Sequence, residues 1–177
     1  MCRVYLLDIE NLIFDNDLSG VDLLRANYIS SINDLVRKKQ SFFVWKLLIY
    51  ALKLNGYNNV KFTNTNGKWC AKNSEINFSL SHSQNMVCVA VNKGNIGVDI
   101  EKISDKLYPL EKRYKNCPDN EDKLLYLSRC FTGEEAKFKA QTCQNVKNFI
   151  VFDKKLNKYS LSVCTDSEIE IINVENI

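Results

Sequence analysis

Apolar and polar residues alternate at the start of the chain, over Cys2–Ile9, and that rhythm predicts an opening strand. The period then lengthens. Leu18–Lys39 reads as a helix bent near Ser30–Ser31, and Ser41–Asn55 as a well-buried helix that stops at Gly56. Trp45, Leu48 and Leu52 form one apolar stripe on it. Val60–Thr63 predicts a short strand before a polar turn at Asn64–Gly67. Glu75–Leu80 leads into Met86–Val91, apolar throughout and expected as a buried strand, and a Lys93–Gly94–Asn95 turn leads to Ile96–Glu101. Asp105–Asn120 is polar, contains both prolines, and predicts a mobile connection with at most a short helix. Glu121–Gln141 is helical, in one piece or in two around Cys130–Thr132. Two or three strands follow, at Asn148–Phe152, Tyr159–Thr165 and Glu168–Val174.

One pattern occurs twice. MVCVAV, a turn and IGVDIEKI is echoed by YSLSVC, a turn and EIEIINVENI. Both read as hairpins after a helical stretch. Two related α+β halves account for the echo, and so does coincidence among strands rich in valine and isoleucine.

Composition narrows the class. A chain of 177 residues, 45% hydrophobic and 25% charged, has material for one core or for two small halves sharing one. Its longest apolar run, Ser41–Leu54, is interrupted by Lys46 and Lys53, which argues against a membrane span. Asp8 and Glu10 close to the start do not fit an export leader, so a cytoplasmic location is expected. The seven cysteines are odd in number and hold no CxxC pair, which reads as buried thiols in a reducing compartment, not a disulfide or zinc framework. A single histidine excludes a multi-histidine centre. The net charge of +3 permits an acidic partner without requiring one. The basic clusters Arg37–Lys38–Lys39 and Lys147–Lys158 read first as solvated faces, and no nucleic-acid motif accompanies them.

Candidate chemistry gathers in two segments. Asp99 and Glu101 lie two apart in a strand, hence on one face. Like charges so placed in a valine-rich strand call for a cation, although ordinary solvent-facing positions have the same spacing. Gly97, two residues earlier, permits close approach by another backbone or a ligand. Glu135 and Lys139 are four apart on one helix face. Glu135 is either a third carboxylate for the cation or the far end of a Thr132-x-x-Glu135 capping box, with capping the stronger local reading. Lys139 either pairs with Glu135 or faces a phosphate. His82, beside Ser81, is either a satisfied polar group at a strand edge or a phosphate contact. Lys68, after Gly67, is either solvated or a phosphate contact.

Together these segments resemble the 4'-phosphopantetheinyl transferases, of the pseudo-dimeric type that activates peptide and polyketide synthases. The family pattern is Gly-Lys-Pro, a phenylalanine-led Ser-His-Ser, Gly-x-Asp-x-Glu, and Trp-Ser/Thr-x-Lys-Glu-x-x-x-Lys. This chain has GKW at Gly67–Trp69, FSLSHS at Phe78–Ser83, IGVDIEK at Ile96–Lys102 and FTGEEAKFK at Phe131–Lys139, in that order. The resemblance implies an α+β fold of two similar α+β halves in one chain, residues 1–100 and a shortened 101–177, with the active site between them. It implies Asp99, Glu101 and Glu135 as ligands of Mg²⁺, or Mn²⁺ in its place. It implies Lys139 at the pyrophosphate and acceptor serine, and Lys68, Ser81 and His82 on the coenzyme A phosphates, with Glu135, Lys139 and His82 as the catalytic group.

The reaction implied moves the phosphopantetheine arm of coenzyme A onto a serine of an apo acyl or peptidyl carrier protein, leaving adenosine 3',5'-bisphosphate. The enzyme is expected as a monomer, and the connection holding Lys112 and Arg113 is the expected carrier contact. The chain departs from the pattern at four places: Phe131 replaces tryptophan, Glu134 replaces lysine, Trp69 replaces proline, and no arginine stands near Gln40–Ser41. Lys38 and Lys39 are the nearest stand-ins for that arginine. These departures keep open a non-catalytic relative that binds coenzyme A or carrier protein. An unrelated metal-dependent phosphohydrolase is the third reading.

Overall fold

Leu6 and Leu7 of the first strand are both buried, because that strand is packed on both faces. The structure is a computed structural model that describes residues 1–65, 67–72 and 74–177. Its fold is α+β. Strand β1 (Cys2–Asp8) leads to α1 (Leu23–Ser30) and α2 (Leu35–Leu54), then to the hairpin β2 (Lys61–Thr65) and β3 (Lys68–Lys72). Next come β4 (Asn77–Ser83), β5 (Met86–Asn92) and β6 (Gly97–Lys102). A 3-10 segment over Asp105–Lys112 precedes α3 (Lys123–Ala140), and β7 (Val146–Phe152), β8 (Lys158–Cys164) and β9 (Ile169–Val174) follow.

The strands form two main sheets, ordered β4-β5-β1-β9 and β6-β8-β7. Four layers result. The apolar face of α2 lies on one side of the first sheet, through Trp45, Leu48 and Leu52 against Tyr5, Leu7 and Val89. The other side of that sheet packs on the second sheet, through Val4, Leu6 and Cys88 against Val98, Ile100 and Leu161. Helix α3 covers the outer face of β6 and β8. Each fully buried leucine or isoleucine in these layers contributes about 1.5–3 kcal/mol.

The repeated pattern is not a pair of hairpins. β5 belongs to the first sheet and β6 to the second, while β8 belongs to the second and β9 returns to the first, parallel to β1. A division at residue 100 therefore cuts β6, and each sheet holds a strand from the other part of the chain. The cause is apolar sides on both strands of each pair: an isolated hairpin buries one face, whereas a crossing between stacked sheets buries both.

The helices differ from expectation in two ways. The bend near Ser30–Ser31 is a full break, because Asp34 caps a new helix by accepting from Arg37 N, so Leu35–Lys39 joins α2. Asp122 starts α3, and the helix runs unbroken through Thr132. Strand β3 adds an element that the alternation did not single out. The turn expected at Asn64–Gly67 includes Asn66, which lies outside the described residues; Gly67 in it has a φ of 85°. No helix among the described residues is long and apolar enough to cross a membrane.

Candidate functional site

The edges of the two sheets meet at β4 and β6, and there the usual backbone ladder is replaced by side chains. The serines of FSLSHS alternate, so Ser79, Ser81 and Ser83 all face β6. Their hydroxyl oxygens accept the amides of Val98, Ile100 and Lys102 at 3.0, 3.2 and 3.1 Å. Two of the three hydroxyls also donate: Ser81 to Asp99 Oδ1 at 2.7 Å, and Ser83 to Glu101 Oε1 at 2.9 Å. The other carboxylate oxygen of each acid accepts no hydrogen bond from a described residue. Burial and the neighbouring charge of Asp99 raise the Glu101 pKa above the ordinary glutamate value.

Helix α3 supplies the next group. A Cβ on Gly97 would lie 1.9 Å from the Ala136 carbonyl oxygen and 2.7 Å from the Ala140 nitrogen, so only glycine lets α3 lie this close to β6. That approach puts Lys139 over the seam. Its ammonium donates to Asp99 Oδ1 at 2.7 Å, Val98 O at 3.0 Å and Leu80 O at 3.3 Å. Lys139 pairs with Asp99 and not with Glu135.

Thr132 is not a cap. It is buried in the middle of α3, bonded back to Ser128 O and across to Ser160 and Ser162 of β8. Glu135 is thereby released from the capping role, and it stands half-buried one turn before Lys139. Among the described residues no three His, Cys, Asp or Glu side chains gather into a metal-holding group. Asp99 and Glu101 nonetheless offer two hard oxygens on one strand face, which suits Mg²⁺ at two of its three expected ligands.

A cleft runs along β4 from this point. One part, about 770 Å³, is bounded by Lys68, Trp69, Phe78 and Lys139. A second, about 300 Å³, is bounded by Arg25, Ser41, Trp69, Ser81, His82 and Lys139. A third, about 390 Å³, extends past His82 to Arg37. Lys68, Ser81, His82 and Lys139 thus line one continuous surface. His82 is exposed on the cleft wall. Partial withdrawal from water and then the cations Lys139, Arg37 and Arg25 hold its pKa below the ordinary histidine value.

Lys38 and Lys39 border none of these three cavities, and Lys39 instead donates to the Glu10 carbonyl at 3.2 Å. Arg25, which carries no motif of its own, lines the cleft. It is 3% exposed and sits 4.9, 4.8 and 5.1 Å from the ring centres of Tyr28, Trp45 and Trp69. It donates to Ser41 O and Oγ at 2.8 and 2.9 Å, while its Nε has no partner among the described residues. Burial lowers its pKa to about 10, so it stays charged at neutral pH. Trp69 therefore has a packing role where the resemblance called for proline. Glu134 turns away from Asp99: its Oε2 accepts from Arg113 and from the Tyr114 hydroxyl, an exposed pairing.

No family model matches the chain, and no curated protein matches it.

Proposed function

We infer that this protein is a Mg²⁺-dependent phosphopantetheinyl transferase, moving the phosphopantetheine arm of coenzyme A to a carrier-protein serine. The observation that carries the reading is the convergence of four separated segments on one cleft. Gly67–Lys68, Ser81–His82 and Lys139 line it, and Asp99 beside Glu101 is bonded to Lys139 at its edge. In this reading Arg25, Arg37, Lys68 and His82 receive the coenzyme A phosphates. Asp99 and Glu101 would hold Mg²⁺, with Glu135 of α3 as the third ligand the resemblance implies. Mg²⁺ held by these residues would supply positive charge to the pyrophosphate.

Glu135 accepts the proton of the acceptor serine. The serine oxygen forms a bond to the pantetheine-side phosphorus as the bond to the nucleotide oxygen breaks, releasing adenosine 3',5'-bisphosphate. Lys139 stabilises the charge that collects on the departing oxygens.

A second reading has an observation in its favour. The Lys139 ammonium rests on Asp99, the position a cation ligand would need, and a relative that binds coenzyme A without catalysis would keep that arrangement. Intact-mass measurement of an apo carrier protein with coenzyme A, Mg²⁺ and this protein separates the two. The transferase adds one phosphopantetheine, and Asp99→Ala and Glu135→Gln both abolish the gain. Coenzyme A binding with no gain across several carriers overturns the transferase in favour of the binding protein.

A further inference from the structure

The serines on β4 do two kinds of work, and the kinds separate by position. Ser79, Ser81 and Ser83 each replace a missing backbone acceptor for one β6 amide. Only Ser81 and Ser83 pass a hydroxyl hydrogen on to a carboxylate. A serine oxygen that already accepts an amide has its remaining hydrogen directed elsewhere, and here it points at Asp99 or Glu101. The chain from amide to hydroxyl to carboxylate fixes which oxygen of each acid faces the seam. The opposite oxygen of each accepts no side-chain hydrogen bond from a described residue.

We propose that Ser81 and Ser83 are positioning residues, orienting Asp99 and Glu101 for a divalent cation, and that Ser81 does not serve as a phosphate contact. The proposal rests on the metal role assigned above to those two acids. Its chemistry is that of an outer shell around a metal: a group hydrogen-bonded to a ligand fixes the ligand's orientation, and its loss weakens metal affinity about 10–100-fold. Ser79 is the internal control. It holds the same seam by the same bond and donates to no carboxylate among the described residues.

The test is Mn²⁺ binding to the purified full chain, followed by electron paramagnetic resonance, with thermal unfolding recorded in parallel. Ser79→Ala, Ser81→Ala and Ser83→Ala each remove one seam acceptor and should lower the unfolding temperature by similar amounts. Mn²⁺ affinity should fall about tenfold or more in Ser81→Ala and Ser83→Ala and stay within about twofold of the original in Ser79→Ala. Ser81→Thr and Ser83→Thr, which keep the hydroxyl, should restore it. Should Ser81→Ala not fold, Ser83→Ala carries the same comparison on Glu101.

Equal Mn²⁺ affinity in all three alanine variants and the original overturns the positioning role while leaving the metal role standing. So does an equal loss in all three. Loss of coenzyme A affinity in Ser81→Ala at unchanged Mn²⁺ affinity also overturns it, and returns Ser81 to the phosphates. No Mn²⁺ binding by the original protein removes the metal role itself, and the proposal with it.

Discussion

Two cations, Arg25 of α1 and Lys139 of α3, line the same cavity of about 300 Å³, and they are held in opposite ways. Lys139 has a carboxylate and two carbonyls, so its charge is matched inside the fold. Arg25 has three aromatic faces, one carbonyl and one hydroxyl, and among the described residues no carboxylate pairs with it. Ring faces attract a cation without neutralising it. Arg25 therefore keeps charge for an incoming anion, whereas Lys139 holds the helix to the seam until something competes for Asp99. The pair shows that burial alone does not tell a structural cation from a ligand-binding one; the identity of its partners does.

The sharpest way to break the contrast is at Gly97. Gly97→Ala drives a methyl into the backbone of α3 and should cost roughly 3 kcal/mol or more, beyond the usual overpacking range because the neighbour is backbone. Chemical denaturation measures it. Mn²⁺ affinity should fall as α3 lifts, while the Arg25 cage, built from α1, α2 and β3, keeps its tryptophan fluorescence.

Next in size is Asp99→Ala, which leaves the Lys139 ammonium without its anion. The loss should be about 3 kcal/mol, at the low end for a broken buried pair because the Lys139 side chain is 28% exposed. Arg25→Met should behave in reverse. Exchanging an unmatched buried charge for an apolar chain of similar length leaves stability within about 1 kcal/mol or raises it, yet removes most affinity for adenosine 3',5'-bisphosphate. Calorimetric titration of both variants, beside their unfolding curves, gives the two numbers that define the contrast. Similar stability losses in the two variants would erase it.

A smaller effect sharpens the same end of the cleft. His82 has a lowered pKa and is neutral in the free protein at pH 7. A bound phosphate dianion favours its protonated form, so binding should take up a proton and strengthen as pH falls through the ordinary histidine value of about 6.5 toward the lowered value of the free protein. Titrating adenosine 3',5'-bisphosphate in two buffers of different ionisation heat reads the proton directly, and His82→Asn should flatten the dependence.

The least effect is expected at the exposed Arg113–Glu134 pair, where Arg113→Ala should change stability by under about 1 kcal/mol. Charge reversal at Lys112 should instead weaken carrier modification and leave nucleotide binding intact, which parallel assays of both would show.

Much of this architecture was legible where the information is local. The apolar run of β5 marks a strand buried on both faces, and Asp99, Glu101 and Gly97 could be placed on β6 from strand geometry alone. Thr132 was misread because Thr-x-x-Glu looks the same whether it starts a helix or lies inside one. The hydroxyls of Ser160 and Ser162, distant in sequence, decide that case. The crossing of β5–β6 and β8–β9 between sheets was hidden for a related reason: neither the Lys93–Gly94–Asn95 turn nor the Thr165–Glu168 turn records which strand its neighbours will pair with. Arg25 had no local signature at all. Its partners Trp45 and Trp69 come from α2 and β3, and only the folded chain brings them together.

The return of β9 to the side of β1 also governs how the molecule can assemble. Cys2 pairs with Ile169 at great sequence separation, so β1 gains its second neighbour only when β9 is in place. Until then β1 has an open edge able to recruit a foreign strand. Contacts of such high sequence separation slow folding and favour an all-or-none transition over stepwise acquisition of halves.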